Sequence, residues 1–166
     1  ISSQGVLYRG KIEREIGKNL ILSDHIECVI ALPANLFYAT GIPACIIILN
    51  KNKPEKRKGK IMFVYAAKDF EDSKKRDKLR DSDIKKIKST IQNYKNIEKY
   101  CYVANIKEIE EEHDFNLNVA RYVDISELEV KINLQEAYDN LKKSFSDQER
   151  LKKQLEINLK GLNVKL

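Results

Sequence analysis

The chain has 166 residues, 42% of them hydrophobic, which suffices for one ordinary domain or one small domain with an appended helix. With 31 Lys and Arg against 25 Asp and Glu the formal charge is +6; this permits contact with a polyanion without demanding it, because the lysines are interleaved with acidic residues. The longest apolar stretch, around Ile42–Leu49, is far too short to cross a bilayer, and the widely spaced Cys28, Cys45 and Cys101 contain no C-x-x-C pair, so neither a disulfide framework nor a zinc site is signalled.

In chain order, Gly5–Gly10 (GVLYRG) reads as a loop leaving a preceding strand, and Lys11–Leu22 as a helix with Ile12, Ile16, Leu20 and Ile21 on one face. His25–Leu32 (HIECVIAL) is a short β-branched run stopped by Pro33, which predicts a strand. Pro43–Asn50 (PACIIILN) predicts a second strand, apolar on both faces and therefore central in a sheet. Lys51–Lys60 (KNKPEKRKGK) has the Pro, Gly and charge of an exposed turn, and Ile61–Ala66 (IMFVYA) predicts a third strand. The short connection between the first two strands favours an antiparallel pair over a crossover. Cys28 and Cys45 fall inside these apolar runs and read as buried thiols, which suits a reducing cytoplasm.

Asp69–Asp81 is charged and loop-like, with Asp81-Ser82-Asp83 placed to cap a helix over Ile84–Tyr94. Tyr100–Asn105 predicts a short strand, Ile106–Glu112 a helical turn, and Asn116–Val123 (NLNVARYV) an extended segment. The last segment has the clearest period: Leu134, Leu141, Gln148, Leu155 and Leu162 fall seven apart, as do Tyr138, Phe145, Lys152, Leu159 and Leu166. This a/d-type stripe, broken by Gln148 and Lys152, must pack on its own domain, on a second copy or on a partner. The organisation expected is a sheet over 1–68, a helical and extended extension over 69–124, and a C-terminal amphipathic helix over 125–166, an α/β layer architecture.

Catalytic constellations are missing. His25 and His113 are remote in sequence and neither has metal-ligand spacing, and the six glycines are isolated, so no phosphate-cradling loop is signalled. The unusual segment is Leu32–Asn50, where Phe37 and Tyr38 sit in a polar, Gly- and Pro-punctuated loop between two strands. Such aromatics either stack on a planar ligand such as a nucleobase or fold back to cap the sheet. The basic turn offers Lys51, Lys53, Lys56, Arg57, Lys58 and Lys60, which either contact phosphate or form a solvated hairpin tip kept soluble by charge.

GVLYRG, then VIALPANLFYATGIPACIIILNK, then KGKIMFVYAAKDF, then NLNVARYV closely resemble, in that order, segments of the methyltransferase (modification) subunits of type I restriction-modification systems. The resemblance runs from about Gly5 to Val123, and the tail after Asp124 matches only in character. It implies a fold: the C-terminal part of an S-adenosylmethionine-dependent, Rossmann-like methyltransferase sheet with its antiparallel hairpin, followed by helices and a long C-terminal helix. It implies an activity for the parent protein, a cytoplasmic bacterial or archaeal enzyme that methylates the exocyclic amino group of adenine in DNA without a metal. The target base must leave the stack to be reached. In this family the loop before the last strand carries an aromatic that packs on the flipped adenine; by position in LPANLFYATG the match is Phe37, with Tyr38 second, in a loop shaped by Pro33, Asn35, Thr40, Gly41 and Pro43.

The resemblance also implies partners: DNA, a specificity subunit, a second methyltransferase subunit, and a restriction subunit in the full complex. The C-terminal helix is then expected to meet the specificity subunit through Leu134, Tyr138, Leu141, Phe145, Leu155, Leu159 and Leu162. The sequence departs from the family pattern in lacking its Gly-rich cofactor loop and its Asn-Pro-Pro-aromatic motif, both of which lie upstream of GVLYRG in the family. Together with the abrupt opening at Ile1-Ser2-Ser3, this predicts a fragment that does not methylate alone. It is also expected to self-associate through the open edge of Pro43–Asn50 or through its last helix. The competing expectation is a non-catalytic α/β module that docks a partner through that helix.

Overall fold

Apolar β-branched runs build the centre of the molecule. In the computed structural model, which describes residues 1–10, 12–38, 40–71, 73, 77–126 and 134–161, the strands β1 (Ser2–Ser3), β2 (Ile26–Ala31), β3 (Ala44–Leu49), β4 (Lys60–Tyr65) and β5 (Cys101–Asn105) form one mixed sheet. Their order across it is β1-β3-β2-β4-β5. β2 and β3 are antiparallel, with Val29 opposite Ile47 and Ala31 opposite Cys45. β4 runs parallel to β2, and β5 antiparallel to β4. β1 pairs only Ser2 with Cys45 and Ser3 with Ala44, so among the described residues Ile46–Leu49 keep one edge without a strand.

As expected, β3 lies inside the sheet, between β1 and β2, although it becomes exposed toward Leu49 and the strand buried at every position is β2. One expectation is corrected here. The basic turn is not a hairpin tip: β3 and β4 lie on opposite sides of β2, and residues 50–59 pass across the start of β2.

Alternation along the strands sorts two apolar layers. Ile61 and Phe63 face one layer with Val29 and Ala31, covered by α1 (Ile12–Leu22) through Ile21, by α3 (Ile106–Glu111) through Ile109, and by Phe115, Leu117, Val119 and Tyr122. The Tyr122 ring stacks on Phe63 at 3.7 Å, with the planes 5° apart. Met62 and Val64 face the other layer with Cys28 and Ile30, covered by α2 (Asp81–Asn93) through Ile87 and Ile91. All three cysteines are buried and free.

Local details depart from the sequence reading for identifiable reasons. α1 buries its apolar face only near its end, at Leu20 and Ile21, and leaves Ile12 and Ile16 exposed. α2 starts at Asp81, a turn earlier than Ile84, because Asp83 caps it from within: its carboxylate accepts from the Arg80 backbone N–H at 2.9 Å. Asn116–Val123 is not extended. The Asn118 side chain accepts from Ala120 N–H and caps a 3₁₀ turn over Val119–Arg121, while Leu117 N–H donates to the Leu7 carbonyl at 2.9 Å.

Residues Ile1–Ser126 form one compact unit and Glu127–Leu166 a second. The first therefore holds both of the segments expected over 1–68 and 69–124. The second contains α4 (Leu134–Gly161), 28 residues and about 42 Å long. No helix among the described residues is long and apolar enough to cross a membrane.

Candidate functional site

The connection between β2 and β3 is shaped by its own side chains. Pro33 is fully buried at the end of β2. Asn35 adopts a left-handed conformation (φ 55°), which Asn tolerates better than other non-glycine residues. A Cβ on Gly41 would stand 3.0 Å from the Asn35 side-chain oxygen, so glycine lets the two arms of the loop close on each other. The Thr40 hydroxyl accepts from Ile42 N–H at 3.1 Å, and Phe37 and Thr40 pair as an antiparallel bridge. At the exit, the Pro43 carbonyl accepts from Gln4 N–H at 3.0 Å and ties the loop to the end of β1.

Leu36, which the sequence reading passed over, packs into the second apolar layer and anchors the loop. Its neighbour Phe37 is thereby turned outward and remains 44% exposed. Phe37 lines an open hollow of about 270 Å³ together with Ile1, Ser2, Ser3, Thr40, Ile42 and Ala44. No charged side chain lines it. Tyr38 is 81% exposed and is not part of this lining. The contribution of Ser2 and Ser3 had no signal in the sequence beyond their place before GVLYRG. A largely apolar hollow with an aromatic wall and the hydroxyl residues Ser2, Ser3 and Thr40 in its lining suits a planar, uncharged ring system.

The basic turn lies at the other end of β3, roughly 20 Å away for a strand of this length. Two of its cations, Lys53 and Arg57, are engaged inside the fold. Lys53 is buried, donating to Asp24 at 2.6 Å and to the Lys60 carbonyl at 2.8 Å. Arg57 donates to Glu27 at 2.6 Å and lies over the Tyr94 ring at 4.5 Å. Asn50 donates to the second Glu27 oxygen at 2.8 Å. Burial works against the charge on Glu27, but the hydrogen bonds from Arg57 and Asn50 and the nearby cations outweigh it and hold this carboxyl below the usual glutamate range. Lys58 pairs with Glu55, and Lys60 opens β4. Lys51 and Lys56 face solvent.

On α4, Tyr138, Leu141, Phe145 and Leu155 are exposed, and Leu151 extends their stripe beyond the break at Gln148. The side chains of Leu134 and Leu159, and residue Leu162, lie outside the described ones. Among the described residues, no group of three or more His, Cys, Asp or Glu side chains is placed to hold a metal.

Known proteins share both this sequence and this fold. The profile of the N-6 DNA methylase family matches residues 1–131. The type I restriction enzyme MjaVIII methylase subunit of Methanocaldococcus jannaschii is 40% identical over 150 residues, covering 89% of this chain and 26% of that protein. The HindI methylase subunit of Haemophilus influenzae is 37% identical over 163 residues, covering 90% and 36%. The chain thus spans about a quarter to a third of the length of these curated relatives. The crystal structure of a type I restriction-modification methyltransferase subunit from Streptococcus thermophilus is 39% identical, with a TM-score of 0.68 over 74% of this chain and 25% of that one. The EcoKI M protein, at 14% identity and a TM-score of 0.58, shares the fold. The chain belongs to the N-6 DNA methylase family and, within it, to the methyltransferase subunits of type I restriction-modification systems.

Proposed function

We propose that the whole protein transfers a methyl group from S-adenosylmethionine to the exocyclic amino group of adenine in DNA, and that this segment contributes the aromatic wall holding the flipped base. The observation that carries the reading is Phe37, half-exposed above an uncharged hollow while its neighbours Pro33 and Leu36 are drawn into the fold. A base taken out of the duplex loses its stacking partners, and an aromatic face restores one, worth roughly 1–3 kcal/mol per base. Thr40 fixes the turn and thereby the aim of the ring.

The hollow does not fit S-adenosylmethionine, whose sulfonium, ammonium and carboxylate groups need charged partners, and no charged side chain lines it. In this reading the methyl donor is held by parts of the whole protein outside these residues, and residues 1–166 do not methylate alone. Replacing Phe37 by Ala in the full-length protein, with its specificity subunit present, tests the assignment. Methyl transfer is expected to fall sharply while complex assembly persists; unchanged transfer makes the aromatic structural and ends the assignment.

The exposed stripe on α4 supports a second element of the reading, contact with the specificity subunit. Leu141→Ser with Phe145→Ser is expected to abolish co-purification of the two subunits. Undiminished co-purification would assign the stripe elsewhere.

A further inference from the structure

We propose that the cavity between the GVLYRG loop and residues 113–121 receives a phosphate of the DNA backbone, with Arg9 and Arg121 as its ligands. The proposal rests on the reading of the parent protein as a DNA enzyme, and it concerns a site separate from the hollow beside Phe37. The cavity has a volume of about 140 Å³ and is lined by Arg9, Arg14 and Arg121, by His113, and by Gly10 and Gly17. Glu13 and Asp114 are the opposing carboxylates, and Asp114 pairs with Arg14. That leaves Arg9 and Arg121 without a carboxylate partner among the described residues.

Arg9 is also held in place. A Cβ on Gly5 would stand 2.7–2.9 Å from the Arg9 guanidinium, so glycine lets that planar group lie against the main chain. The Arg9 backbone N–H donates to the Gly5 carbonyl at 2.9 Å, closing the turn that presents it. An arginine fork fixed before its ligand arrives loses little freedom on binding and matches two phosphate oxygens.

Two glycines line the cavity with no close neighbour that would demand them. A Cβ on Gly10 or on Gly17 would meet no atom within 4 Å. Gly17 stands inside α1, where glycine is unfavourable relative to alanine. His113 is held edge-on to the Tyr122 ring at 4.3 Å, which fixes the opposite wall.

Position selects the backbone of DNA as the source of the phosphate. Gln4 N–H meets the Pro43 carbonyl and Arg9 folds back on the adjacent Gly5, whereas α1 ends near His25, whose N–H donates to the Leu20 carbonyl and whose carbonyl accepts from Asn50 N–H at the far end of β3. Arg9 and Gly10 therefore lie toward the end of the sheet that carries the Phe37 loop, while the basic turn lies at the other end. A strand that delivers a base to Phe37 passes this end.

The test is the salt dependence of duplex-DNA binding by the full-length subunit with its specificity subunit, measured without S-adenosylmethionine. Arg9→Ala with Arg121→Ala is expected to shrink the slope of log K against log[salt] by about 1 to 2, since each phosphate contact contributes about 0.9. It should weaken all sequences alike, and the double lysine variant should recover most of the slope. An unchanged slope in an alanine variant that melts with the wild type overturns the proposal. Thermal shift by inorganic phosphate separates the sources: a shift lost in the alanine variant beside an unchanged DNA slope means a free-anion site and overturns the DNA assignment. Because the slope is read without methylation, Phe37→Ala is expected to leave it at the wild-type value, so the two readings fail independently.

Discussion

The two connections that flank β3 carry similar punctuation and meet opposite fates. Residues 33–43 turn their large aromatic outward, with Phe37 over an uncharged hollow. Residues 50–59 turn two of their cations inward, with Lys53 buried on Asp24 and Arg57 on Glu27. A cluster of basic letters is thus no measure of basic surface. What a segment offers to a ligand is what remains after its own fold has been satisfied, and by that count the aromatic loop offers more than the basic turn. Arg57→Ala attacks the comparison most directly, because it leaves Glu27 buried with Asn50 as its remaining side-chain partner and strips the cation from the Tyr94 ring. Breaking a buried pair from one side costs about 3–5 kcal/mol, read as a shift in the denaturant midpoint. A cost below about 1 kcal/mol, the range of surface pairs, would return the turn to the solvent. The pair also has a pH signature. The carboxyl of Glu27 is held low in the folded state, so its contribution is present above the ordinary glutamate pKa and is lost as the pH falls through the lowered value. Glu27→Gln should flatten that acid limb.

How far the sequence could be read follows the same division. Strands β2, β3 and β4 were legible because continuous apolar runs leave few other solutions. The pairing of β3 and β2 was legible from the short loop between them, but the jump from β3 across β2 to β4 was not, since a ten-residue basic segment reads as a hairpin tip until Asp24 and Glu27 are seen to hold it. The stripe on α1 was over-read, as periodicity marks an apolar face without saying how much of it meets the sheet. In Asn116–Val123 two Asn side chains bend the chain, with Asn116 accepting from Asn118 N–H and Asn118 from Ala120 N–H, and local polar bonds of this kind are invisible to an apolar-pattern reading. At the site, the residues alone left Phe37 and Tyr38 as neighbouring aromatics, and the family resemblance ranked Phe37 first and Tyr38 second. Burial of Leu36 decides which of the two faces the hollow.

Phe37→Ala sharpens the other half of the comparison. Because the ring is half-exposed, its removal should change stability little, while loss of one base stack, about 1–3 kcal/mol, corresponds to a roughly 5- to 150-fold fall in methyl transfer. Tyr38→Ala, beside it but outside the lining, should fall within a fewfold of wild type. Equal losses at the two positions would dissolve the distinction that the loop geometry draws.

Gly17→Ala carries a smaller and oppositely signed effect. Within α1 the substitution removes the entropy cost of glycine and should stabilise the fold by about 1 kcal/mol, since the new methyl meets nothing within 4 Å. Gly17 also lines the arginine-lined cavity, so an added methyl there is expected to lower DNA affinity while it raises stability. A variant that gains stability and keeps its affinity shows that Gly17 leaves more room than the ligand uses.

The smallest effect is expected where the sequence shows most charge. Lys51 and Lys56 face solvent on the basic turn, yet they stand at the end of β3 remote from Phe37. Lys51→Ala with Lys56→Ala should change stability by no more than about 0.5 kcal/mol. It should also leave the salt slope of DNA binding unchanged, in contrast to the loss expected from Arg9 and Arg121. A slope reduced by about 1 to 2 in the lysine pair instead would place the DNA across both ends of the sheet. The inward commitment of Lys53 and Arg57 would then be the means by which the turn holds Lys51 and Lys56 out to a second stretch of backbone.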